Sequence, residues 1–363
     1  MINQKRIFYY DLIRVFAIFC VVSCHVSSSL VLDITIFNTN LWYFSLVLNS
    51  LRDIGVPLFV MLTGSLLLFK HENYKIFFKK RVEKVLIPYV FWVVIFLIFI
   101  FVGMHYNYFT NYTSVESVIF NTLSFFPKYE GVFLWFVPMI LTVYIIIFVI
   151  NKLTELNVHI VKFFLIFSLV LVVLFNLNLF VNNDLLNYFL YSIFAVLGYY
   201  CSIIDFNKLL KINISNNKLF ILFFISSLIL YSILIKINAY TSMASNQFLV
   251  LSQFNILNIL LVLSVFLSFR YFSMSENKLK SIYMYLKENF GKIVLSLSFC
   301  SYGIYLCHVI IKICLDKIIM SLFKNMLPMS INLIILLVLT FICSWICILV
   351  VHKIPFLSKF SGY

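Results

Sequence analysis

Ten apolar segments, each about long enough to cross the roughly 30 Å of hydrocarbon in a bilayer, take up most of this 363-residue chain. They fall at 8–32, 42–69, 85–104, 133–150, 160–181, 186–204, 218–236, 248–269, 293–315 and 330–351. In hydrocarbon a backbone can satisfy its own N–H and C=O groups only as helices or as a closed barrel. Unbroken apolar runs of this length, without alternation, dictate helices. The expected fold is therefore all-α, a polytopic membrane protein of about ten spans. With 63% apolar and 11% charged residues, a soluble domain is excluded. The connections are short and no internal repeat is visible, so a single membrane domain over 1–363 is expected. The net charge of +14 does not call for a nucleic-acid partner, because the cations sort by side. Twenty of the 27 Lys and Arg fall in alternate connections and the two ends, against six on the other side. By the positive-inside bias both termini are expected in the cytosol. The basic start suggests a signal peptide, but Asp11 and Arg14 interrupt its apolar run, which reads as an uncleaved first span. The eight cysteines have no CxxC spacing, so neither a disulfide framework nor a metal site is expected.

The first span carries groups an anchor does not need. Arg14 and His25 lie eleven positions apart, about 20° past three full helical turns, so they share a face about 16 Å apart along the axis. Asp11 precedes Arg14 by three residues, within reach of an ion pair. A charge at mid-bilayer costs about 3 kcal/mol on insertion scales, which makes such groups candidates for a pathway or a site. The plain alternatives are a snorkelling Arg14 and a His25 bonded to a neighbouring helix. Arg52 and Asp53 open the second span before GVPLFVMLTGSLLL, whose Gly55, Pro57 and Gly64 favour close helix approach. The next connection, KHENYKIFFKKRVEKVLIPY, is the most basic. Lys80, Arg81 and Lys84 lie there, and an α-helix would put Arg81 and Lys84 on one face, able to grip one polyphosphate. The same segment also suits anionic lipid at the interface. The outer connection 105–132 is rich in Tyr, Asn, Thr and Ser, Trp135 follows at a span boundary, and Tyr302, Tyr305 and His308 recur three apart in the ninth span.

In this order, these pieces resemble the acyltransferase-3 family of bacterial membrane O-acyltransferases, over nearly the whole chain. Arg14 and His25 match its Arg-x10-His motif, with Asp11 as the acid three before. Arg81-x-x-Lys84 resembles its Arg-x-x-Arg, with Lys in second place. Gly55-Val56-Pro57-Leu58-Phe59 with Thr63-Gly64, Leu134-Trp135-Phe136, and Ser301-Tyr302-Gly303-Ile304-Tyr305-Leu306-Cys307-His308 are similar to three further elements. The chain departs at Arg52, one position early, at Phe133, which stands where many members have a histidine, and at Ser65, which replaces an aromatic. No SGNH domain of the kind some relatives carry is expected. The layout is most similar to stand-alone enzymes that acetylate surface polysaccharide or its lipid-linked precursor, such as enterobacterial common antigen.

The resemblance implies an O-acetyltransferase of the bacterial inner membrane. Cytosolic acetyl-CoA would be its co-substrate, with no permanently bound cofactor, and a sugar hydroxyl its acceptor. It implies His25, Arg14 and Asp11 as the catalytic set, with His25 either a general base or a transient acyl carrier. It implies Arg81, Lys84 and Lys80 at the donor, and Trp135, Tyr305, His308 and Arg52 as supporting or acceptor residues. The partners expected are acetyl-CoA, the glycan acceptor and membrane lipids, with the oligomeric state open. A transporter or flippase of a polar lipid or glycan is the rival reading of the charged interior face.

Overall fold

The computed structural model describes residues 6–105, 133–177, 184–211, 213–245, 247–249, 251–323 and 326–363, which are mostly helical with no strand among them. In chain order the helices are α1 (Phe8–Val31), α2 (Asn40–Asn49), α3 (Arg52–Leu67), α4 (Tyr74–Arg81), α5 (Ile87–His105) and α6 (Phe136–Thr154). They continue with α7 (Ile160–Asn176), α8 (Asp184–Ile203), α9 (Phe206–Leu210), α10 (Asn216–Ser245), α11 (Ile256–Ser273), α12 (Asn277–Phe323) and α13 (Met329–Lys353). Nine helical segments among the described residues are long and apolar enough to cross a bilayer. The tenth expected span is the shorter α7, of 17 residues, and the end of its expected run falls outside the described residues. So does almost all of the connection 105–132. The chain is a multi-pass, all-α membrane protein.

Two expectations are refined. The expected span 42–69 is not one rod: it breaks at Ser50–Leu51 into α2 and α3. Pro57 sits six positions inside α3, where its ring removes the N–H that would bond the Asp53 carbonyl. The ninth expected span, 293–315, is only the middle of α12, whose 47 residues run about 70 Å. Its first four turns come from NKLKSIYMYLKENFGK, a stretch without proline that holds four Lys and two Leu, which are good helix formers.

The described chain forms two compact units. The first comprises residues 1–70 and 146–298. Inside it α1 packs on α2 and α3, α3 packs on α8, and α10 packs on α11. The α3–α8 crossing is very close, because a Cβ on Gly64 would overlap the Ala195 backbone and one on Gly198 would overlap that of Met61. Without a hydrophobic drive between spans, this approach of backbones supplies the packing. Helix ends are closed by side chains. The fully buried Trp42 donates its indole N–H to the Val31 carbonyl at the end of α1 (3.1 Å). Asn151 donates to the Leu67 and Lys70 carbonyls (2.8 and 3.2 Å) and accepts from the Phe69 N–H (2.9 Å). That cap holds Phe69 in a left-handed turn, with φ of 60°.

The second unit comprises residues 71–145 and 299–363. Here the tail past α13 folds back. Trp92 donates to the Phe360 carbonyl (3.2 Å), Phe91 stacks on Phe360, and Tyr363 stacks on His352 with centroids 3.8 Å apart. Gly303 gives the tail its room, since a Cβ there would overlap the Ser361 carbonyl.

Candidate active site

The unbroken α1 preserves the register expected from sequence, so Arg14 and His25 leave one side of it, both half-buried. Asp11 is buried, with 1% of its surface exposed. Arg14 Nη1 reaches Asp11 Oδ1 at 3.1 Å, as the spacing of three predicts. Asp11 has two further partners. Arg6 grips both carboxylate oxygens, Nε to Oδ2 at 2.8 Å and Nη2 to Oδ1 at 2.7 Å, and Ser298 Oγ on α12 donates to Oδ1 at 2.7 Å. A fork-to-fork guanidinium–carboxylate pair is the strong form of this contact. One carboxylate thus faces two guanidinia and a hydroxyl, and the group carries a net positive charge. Such a group suits an anion, or an oxygen on which negative charge develops. Arg6 and Ser298 were not singled out from sequence. Arg6 reads there as one more flanking cation, and Ser298 as one of several serines in LSLSFCS. Around His25, Ser28 Oγ donates to the His25 carbonyl at 2.9 Å.

The same unit holds Arg52, whose Nε meets Asp53 Oδ1 at 3.3 Å. Asp53 is 1% exposed, so Arg52 is the counter-charge of a buried acid. Arg270, counted with the cytosolic cations in sequence, is buried and donates to the Cys201 carbonyl at 2.7 Å.

In the second unit the donor residues part company. Arg81 is buried, donates to the Phe77 carbonyl (3.1 Å), lies 3.6 Å from Glu72 and has its guanidinium 3.9 Å from the centroid of the Phe77 ring. Lys80 is exposed and pairs with Glu72 at 2.9 Å. Lys84 is exposed and sits in a π turn over Val82–Leu86. A π turn rotates less per residue than an α-helix, so the α-helical face expected to join Arg81 with Lys84 is interrupted between them. Such bulges are frequent at functional sites. His308 is fully buried, and its Nδ1–H donates to the Tyr305 carbonyl (2.7 Å), with the Ile304 carbonyl at 3.2 Å. Because a carbonyl only accepts, the neutral ring keeps its acceptor on Nε2. Tyr305 packs edge-on against Phe136, and Trp135 is half-buried in the single turn before it. All eight cysteines are free.

The order of these elements has a counterpart among known proteins. A family model, that of the acyltransferase domain of acyltransferase-3, matches residues 7–349. The chain belongs to the acyltransferase-3 family. No curated protein and no solved structure gave a match. Membership makes the chain a membrane acyltransferase. In an acyltransferase-3 protein the polar face of α1 lies at the start of the matched region.

Proposed function

We propose that this acyltransferase-3 protein is an O-acetyltransferase of the bacterial inner membrane, moving acetyl from cytosolic acetyl-CoA to a sugar hydroxyl of a surface polysaccharide or its lipid-linked precursor. The observation that supports it most is the polar face of α1, where Asp11 is held by Arg6, Arg14 and Ser298 and His25 follows three turns beyond Arg14. In this reading a His25 ring nitrogen takes the proton of the acceptor hydroxyl. The sugar oxygen attacks the thioester carbonyl, the C–S bond breaks, and the CoA thiolate leaves and receives the proton. A neutral imidazole suits that work, since an unperturbed histidine titrates near pH 6.5. Arg14 faces the oxygen on which charge develops, and Asp11 fixes the Arg14 side chain. Lys80, Arg81 and Lys84 take the nucleotide phosphates, with Arg81 as the buried member of the patch.

The test is acetate release by mild base from the surface polysaccharide of cells with and without the gene, complemented by His25→Gln. Gln keeps hydrogen bonding but accepts no proton near neutrality. Loss of acetate with a normally expressed Gln variant is expected. Normal acetylation by that variant would make His25 a packing residue.

A further inference from the structure

We infer that the buried polar cluster at the break between α2 and α3 is the binding site for the hydroxyl-rich acceptor, a deepening that rests on the sugar-acceptor reading. Four side chains from α2, the break, α3 and α11 form it: Asn49, Ser50, Asp53 and Asn258. Their exposures are 3%, 0%, 1% and 1%. Each is tied in by its other bonds. Asn49 Nδ2 donates to the Cys24 carbonyl at 3.2 Å, the Asp53 N–H to the Ser50 carbonyl at 3.3 Å, and Asn258 Nδ2 to the Asp53 and Gln253 carbonyls, both at 3.0 Å. Tyr191 O–H in turn donates to Gln253 Oε1. The Asp53 carboxylate is bonded to the side chains of Arg52 and Gln253, yet each of the other three carries a buried polar atom with no hydrogen-bond partner: Asn49 Oδ1, Ser50 Oγ and Asn258 Oδ1.

Leaving one buried polar atom unmade costs about 1–3 kcal/mol, and a charged one more. Three within one cluster are an expensive arrangement unless something else completes them. Neighbouring helical serines show the ordinary solution. On α11, Ser264 donates to the Leu260 carbonyl and Ser268 to the Val265 carbonyl, whereas the Ser50 hydroxyl donates to nothing.

The chemistry of the atoms selects the ligand. In both asparagines the amide nitrogen already donates to carbonyls, so the atom presented is the oxygen. Two amide oxygens and one hydroxyl call for a ligand that donates several hydrogen bonds. An amine would do so as a cation, but the Arg52 guanidinium beside Asp53 Oδ1 already supplies that charge. A neutral polyol fits. The location also suits an acceptor, because the carbonyl Asn49 binds belongs to the peptide bond joining Cys24 to His25.

The test uses the full chain in nanodiscs, acetyl-CoA, and the glycolipid fraction extracted from the host's membranes. Ser50→Ala removes a hydroxyl with no partner in the fold, so it should keep the Tm. It should raise the apparent KM for glycolipid roughly three- to tenfold. Asn258→Leu should raise it further. Binding is read separately as the Tm increase that glycolipid produces without acetyl-CoA, expected to shrink in Ser50→Ala. If wild type binds in this way but transfers no acetyl, the cluster stands and the acetyl reading falls. If wild type transfers acetyl while Ser50→Ala keeps both its glycolipid KM and its Tm increase, the atoms are satisfied by water and the inference is overturned. Ser50→Ala decides this even where Asn258→Leu does not fold.

Discussion

Asp11 balances two guanidinia, so the three residues are not interchangeable. Removing the acid takes from Arg6 and Arg14 the carboxylate they share, whereas removing Arg6 leaves Asp11 with Arg14 and Ser298. Asp11→Asn is therefore expected to cost about 3 kcal/mol. Arg6→Gln should cost about 1 kcal/mol, since the guanidinium is 39% exposed and screened. Thermal unfolding in matched detergent checks the order, and equal losses would mean that Arg6 supplies most of the compensation. A second residue-scale effect lies outside the spans. Asp33 Oδ1 accepts from the Thr35 N–H (2.9 Å) and hydroxyl (2.6 Å). Both bonds favour the ionised form and hold the Asp33 carboxyl below the usual carboxylate range. A depressed folded-state pKa stabilises the turn above the unfolded pKa, and that contribution disappears as pH falls through the folded one. Thr35→Val should move the Asp33 titration upward, read by carboxyl carbon NMR.

Among the elements, the α3–α8 crossing tolerates least. Gly64 and Gly198 each face the other helix's backbone, which cannot move aside as a side chain can. Gly198→Val is expected to cost several kcal/mol, at or above the 1–3 kcal/mol usual for overpacking, and to lower yield and Tm together. A Tm within a degree of wild type would show that the helices separate easily. Asn151→Leu opposes Gly198→Val in kind, since it keeps volume but strips three bonds from the end of α3. About 1–3 kcal/mol is expected, again from thermal unfolding. Sequence made Gly64 visible as a small residue in a span. It did not make Gly198 or Asn151 visible, because their partners lie at Met61 and Leu67, far along the chain.

At the scale of the whole molecule, hydropathy alone reads the helical class and most span positions, since apolar length is a local property of the chain. The charge asymmetry predicts both termini and Lys79 in the cytosol and Val118 outside. An impermeant thiol reagent, applied to single-cysteine variants, should label Val118→Cys in intact cells and Lys79→Cys only after lysis. The reverse pattern would invert the proposed direction of transfer. The candidate site was legible as far as its groups share one helix: Asp11, Arg14 and His25 follow from periodicity. Its remaining partners were not, because periodicity says nothing of which serine on a distant helix arrives beside Asp11, nor that Asn258 closes on the Asp53 backbone. That distance along the chain has a consequence for biogenesis. Arg6 and Arg14 neutralise Asp11 from within residues 6–14, so the nascent α1 can enter the bilayer with its acid already escorted. Ser298 is synthesised 287 residues later. A ribosome stalled before α12 would hold an immature chain, and the polar face of α1 would be completed only once α12 has been made.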